Sequence, residues 1–199
     1  MPEVPHAAPG LRRIVIVVAA ANLAYFGVEF GTARAIGSVS LFADSVDFLE
    51  DASVNFLIAV AIGWTAINRA RIGMVLAGVL LVPGLATLWT AWQKFNVPVA
   101  PDAGRLALTA AGAMIVNLSC AFLLARHRRH HGSLVKAAFL SARNDAVANV
   151  AMIAAGLVSA TVWRSPWPDL AVGLAIAAVN ADAAREVWQA ARAEHRAEA

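Results

Sequence analysis

The chain has 199 residues, is 60% hydrophobic and 15% charged, and carries a formal net charge of +3 with a mean hydropathy of +0.65. A soluble domain carries roughly a quarter charged residues, so this composition excludes an ordinary water-soluble fold. The basic residues are scattered over short connecting stretches with no interleaved aromatic platform, which excludes a nucleic-acid surface.

A membrane span needs about 20 mostly apolar residues. The charged positions cut the sequence into six such segments: Ile14–Thr32, Val39–Ile67, Ile72–Gln93, Leu106–Ala125, Leu134–Val162 and Pro166–Trp188. The expected architecture is an all-α, six-helix transmembrane bundle over residues 14–188, flanked by an N-terminal segment 1–13 and a short tail 189–199. Arg12 and Arg13 before the first segment and the small-residue site Ala33-Arg34-Ala35 after it resemble a secretory leader, but Asn22 and Glu29 suit a bundle interior better. In the third segment Pro83 and Gly84 predict a kink, which neighbouring helices tolerate. The outer connection Phe95–Pro101 reads as a polar turn and nothing more.

Cys120, alone on the fourth segment, reads as packing. The loop Arg126–His131, with His127, His130 and His131 between arginines, reads as a solvated inner loop. Trp163, Trp167 and Trp188 suit the membrane interfaces. The spacings Gly173, Ala177, Ala181 and Ala151, Ala155, Ser159 permit close helix contact, within one chain or across a homodimer.

Arg12, Arg13, Arg69, Arg71, Arg126, Arg128, Arg129, Lys136, Arg185, Arg192 and Arg196 fall on one side of this map, and only Arg34, Lys94, Arg105 and Arg164 on the other. The positive-inside rule then places both termini in the cytoplasm, as expected of a protein of the bacterial inner membrane.

Asp47 and Asp51 lie inside the second segment and Asp145 inside the fifth. A charge at mid-bilayer is costly and is kept where it is used. Residues four apart share a helix face. At about 1.5 Å per residue, Asp47 lies roughly 12 Å and Asp51 roughly 18 Å below the outer face, and Asp145 roughly 15 Å above the inner one, so all three share a level in a core about 30 Å thick. Such convergence suits a midplane cation site. Ser141, Asn144, Asn149 and Asn22 are candidate further ligands or supporting groups, and Asp44 and Glu29 candidate members of a proton or entry path. An ion pair of Asp145 with Arg143 is disfavoured because residues two apart point to different faces; Arg143 is expected to snorkel inward or pair with Glu50, off the Asp47/Asp51 face.

The string Gly37-Ser-Val-Ser-Leu-Phe-Ala-Asp-Ser-Val-Asp-Phe-Leu-Glu-Asp51 resembles the second transmembrane helix of the cation diffusion facilitator family, in which Gly-Ser-x-(Ser/Ala)-Leu-x-Ala-Asp leads into (His/Asp)-x-x-x-Asp. Ser141-Ala-Arg-Asn-Asp-Ala-Val-Ala-Asn149 resembles that family's fifth helix, with Asp145 on its second ligand position and Ser141 where the family carries His or Asp. The resemblance implies a six-helix exporter of divalent metal, usually proton-driven and usually dimeric. It further implies a compact member, because typical relatives continue into a cytoplasmic metal-binding domain after the sixth helix.

Independently of the resemblance, an all-oxygen set suits Mn²⁺, Fe²⁺, Co²⁺ or Zn²⁺ as transported ion, less selectively than a histidine-containing zinc site would. Three close carboxylates repel, so at least one is expected to hold a proton when no metal is bound, and metal entry then expels it. No permanently bound cofactor is expected; the partners are divalent ions, protons and the lipid bilayer. Nucleophile and zinc-hydrolase motifs are absent, so the protein is not expected to be an enzyme. The competing expectation is a non-transporting membrane scaffold or metal-sensing subunit with a degenerate site, suggested by the serine at position 141.

Overall fold

The computed structural model describes residues 9–61, 68, 85–125 and 132–197. The expected kink at Pro83 and Gly84 and the loop Arg126–His131 lie outside them. Six helical stretches are present among the described residues: α1 (Pro9–Ile36), α2 (Val39–Ala61), α3 (residues 85–96), α4 (Ala103–Ala125), α5 (Gly132–Thr161) and α6 (Trp167–Ala197). Those residues contain no strand.

Local chemistry sets the ends. Gly37 adopts φ +64°, and the Ser38 amide donates to the Ala33 carbonyl at 3.1 Å, so α1 stops in a left-handed glycine cap and α2 begins two residues later. Asp102 caps α4 by accepting the Arg105 amide at 2.8 Å. Two boundaries differ from the sequence expectation. Helix α6 runs on to Ala197 through the predicted tail, because Ala190, Ala191, Ala193 and Ala197 are strong helix formers. The outer turn is also more than a polar turn: α3 extends to residue 96, the Phe95 ring meets Trp167 edge-on at 5.8 Å, and Lys94 donates to the Gly37 carbonyl at 2.5 Å. Burial pushes the Lys94 ammonium below its ordinary pKa, and the neighbouring Asp169 charge opposes that shift.

Helices α1 and α2 pack against each other along their length, as do α4 and α5; α2 also packs on α6 and α5, and α1 on α4. The result is inverted relative to a soluble protein. Phe56, Leu108, Phe122 and Val147 are 63–76% exposed, whereas Asn22, Glu29, Asp44 and Asn149 are fully buried. An apolar exterior around a polar interior suits lipid as the surrounding solvent. Among the described residues two helices are long and apolar enough to cross a bilayer, Arg12–Ile36 and Ala103–Ala125, with mean hydropathies of 1.8 and 1.9. Helix α2 falls short of that standard because Asp44, Asp47, Glu50 and Asp51 interrupt it.

Helix α6 reaches α2 through Gly173. A Cβ on this residue would lie 2.7 Å from the backbone at Val39 and Ser40, so the first small residue of the α6 spacing makes a contact within the chain. Gly173→Val is expected to destabilise the fold by about 3 kcal/mol, because backbone cannot move aside as a flexible side chain can. A thermal melt of the detergent-solubilised protein measures it, and an unchanged midpoint would contradict this packing.

Candidate metal centre

Helix α2 supplies the acids. It has Asp44, Asp47 and Asp51 on its buried side and continues that side with Asn55. Helix α1 turns Asn22 and Glu29 toward the same interior, two turns apart, and both are fully buried. From α5 come Ser141 and Asp145, each half-buried, and the buried Asn149.

One hydrogen bond joins the two principal helices. Ser141 Oγ donates to Asp51 Oδ1 at 2.9 Å, across 90 positions of sequence. Asp145 stands opposite, close enough for its charge to act on Asp47 and to feel that of Asp51. Asn55 and Asn149 each give an amide NH₂ to the backbone carbonyl four residues earlier, those of Asp51 (2.8 Å) and Asp145 (2.6 Å), which leaves the Oδ1 atoms of both without partners.

The predicted residues are thus brought together unequally. Asp47, Asp51, Asp145 and Ser141 gather where α2 faces α5, whereas Asn144 does not join them: it is exposed and accepts a hydrogen bond from Arg143 at 3.3 Å. The reason is helical phase, since Asn144 precedes Asp145 by about 100° around the axis. Arg143 is exposed and bonded to that neighbour, instead of pairing with Glu50. Glu50, off-face by the sequence spacing, is half-buried, and its charge reaches Asp47, Asp51 and Asp145. Four acids within eight residues of α2 are the sequence signal for it. Asn117 on α4 is a buried polar residue that the sequence pattern does not single out, and its Oδ1 has no partner. Cys120 lies one turn further along α4 in an apolar cluster with Val15, Val18, Ile58 and Leu124.

Among the described residues, no three His, Cys, Asp or Glu side chains stand in the arrangement of a closed metal cage. The acids share a region without closing on a common point.

At the outer end of α2, Asp169 of α6 is fully buried. Its Oδ1 accepts from Ser38 Oγ (2.6 Å), Ser40 Oγ (2.6 Å) and the Ser40 amide (3.2 Å), and its Oδ2 from the Val39 amide (2.8 Å). A carboxylate from another helix therefore caps the helix that carries the acids. Gly37, Ser38 and Ser40, which head the string resembling the metal-exporter helix, act structurally. The glycine closes α1, and the two serines bind Asp169.

Residues 15–192 match the family model of the cation efflux transmembrane domain. The chain belongs to the cation efflux family. It is accordingly an integral membrane protein of a cation transporter family, whose members move divalent cations with no permanent cofactor and are transporters, not enzymes. No curated protein matches the chain.

Proposed function

We propose that this cation efflux protein exports a divalent metal ion, with Mn²⁺, Fe²⁺, Co²⁺ and Zn²⁺ as candidates, from the cytoplasm in exchange for protons. Asp47, Asp51 and Asp145 are the metal ligands. Ser141 holds Asp51 toward α5, and Asn149 and Asn22 supply further oxygens nearby. The carrying observation is the Ser141–Asp51 hydrogen bond, because it ties the two acid-bearing helices at the level of their carboxylates.

The ion enters as a dication, and the carboxylates that bind it surrender whatever protons they shared. Protons arriving from the opposite side then compete for the same oxygens and release the metal. The proposal includes six spans over residues 14–188 with both termini cytoplasmic, as the Lys and Arg distribution supports. It also includes a bacterial inner-membrane location and a homodimer formed through apolar helix faces. Asp44 and Glu29 lie toward the outer end, on the path between the ligands and the outer face.

The test is flux in liposomes containing the purified protein, across a panel of divalent metals, with and without an opposing proton gradient. Metal flux that accelerates with the gradient supports exchange. Flux indifferent to it removes the proton coupling, and no flux for any metal removes the transporter. A second reading, a metal-sensing or scaffolding subunit, is favoured by the serine at position 141 and by the open arrangement of the acids. It predicts binding without flux.

A further inference from the structure

A second polar group lies on the outward side of Asp47. It consists of Glu29 on α1, Asp44 on α2 and Asn149 on α5, all fully buried. The Glu29 and Asp44 carboxylates face each other, and Asn149 faces Asp44. With both carboxyls ionised, Glu29 Oε1 and Oε2, Asp44 Oδ1 and Oδ2 and Asn149 Oδ1 are all buried without a hydrogen-bond partner. Two neighbouring donors make other bonds, Asn149 Nδ2 with one of its two N–H groups. Asn149 Nδ2 is bonded to the Asp145 carbonyl at 2.6 Å, and the Tyr25 hydroxyl, whose ring lies beside these acids, donates to the Thr109 carbonyl at 2.7 Å.

Buried polar atoms are almost always partnered, and the exceptions call for an explanation. An ionised carboxylate accepts and does not donate, so oxygens from three different helices that face one another need either a bound cation or a proton shared between the two carboxyls to satisfy them. Such a hard, all-oxygen set suits a divalent ion of the Mn²⁺ kind more than a thiophilic one. Asp44 precedes Asp47 by three residues, close to one helical turn. An ion could therefore pass between the two groups without leaving carboxylate oxygen.

We propose that Glu29, Asp44 and Asn149 form a second cation site, which receives the transported divalent ion after it leaves Asp47, Asp51 and Asp145 and before it reaches the outer face. This rests on the exporter reading above and adds a second station to it. The group shares Asn149 with the Asp47, Asp51 and Asp145 site but takes its carboxylates from other residues, Asp44 and, on α1, Glu29.

The experiment uses Mn²⁺ and the full chain in detergent. In a protein carrying both Asp51→Asn and Asp145→Asn, Mn²⁺ is expected still to bind at one equivalent, read from loss of the free-ion paramagnetic resonance signal. Adding Glu29→Gln or Asp44→Asn should then weaken binding at least about 10-fold, the scale seen when a group supporting a metal is removed. Absence of Mn²⁺ binding in the double variant, or binding unaffected by Glu29→Gln, overturns the second site.

A transport arm guards against a variant that fails to fold. In the otherwise unaltered chain, Glu29→Gln should lower maximal Mn²⁺ flux about 10-fold while the cytoplasmic-side KM stays within about twofold, as expected for a step after binding. Unchanged maximal flux overturns the proposal. The two readings fail differently: an unaltered chain that moves no metal removes the exporter, whereas normal transport by Glu29→Gln removes only the second site.

Discussion

Asp51→Asn is expected to lower metal flux at least about 100-fold in a protein that remains folded, beyond the usual loss when a ligand's supporting group is removed. The amide is nearly isosteric and its Oδ1 can still accept the Ser141 hydroxyl at the 2.9 Å contact, so the link between α2 and α5 survives. Only the charge is lost, and with it most of the attraction for a dication in a region where Asp51 is 6% exposed and poorly screened. Asp145→Asn should behave alike, because in the proposed site Asp145 faces the same ion from α5. Efflux from cells under metal stress, with gel-filtration profiles of the purified variants as the folding control, measures both. Equal metal tolerance of unaltered protein, Asp51→Ala and Asp145→Ala would favour the scaffold or sensor reading over transport.

Asp169→Ala is expected to be among the most damaging substitutions for stability, at about 3 kcal/mol. It strands the Val39 and Ser40 amides at the start of α2, and each buried donor left unpaired costs about 1–3 kcal/mol. The two serine hydroxyls can rotate to other acceptors, which limits the total. Asp169→Asn should fall between the two: Oδ1 can keep its three bonds, while the new NH₂ would meet the Val39 amide donor to donor. Thermal melts of the three proteins in one detergent rank them. If Asn proved as harmful as Ala, capping by Oδ1 would not be the stabilising element.

Much of this protein is legible along the chain. Its helical character, its family and its acid-bearing helices follow from hydropathy and from two short strings. The positions of helix ends are less legible, since α6 continues through an alanine-rich stretch that hydropathy alone reads as tail. Idealised helical phase sets Glu50 apart, although a long side chain on a half-buried turn can still project its charge onto its neighbours.

The sequence by itself determined which segments are helical and that charged groups are carried within them, because composition and spacing are properties of a single strand of residues. Only the tertiary structure decided which of those groups meet. Ser38 and Asp169 stand 131 positions apart and are joined at 2.6 Å, and Ser141 reaches Asp51 across 90 positions. Neither contact leaves a periodic trace, since a polar residue on a buried helix face looks the same whether its partner is a serine, a backbone amide or another acid. Packing chooses the partner, and that choice separates Asp169, whose carboxylate caps a helix, from Glu29 and Asp44, whose buried oxygens accept no hydrogen bond from a neighbouring donor.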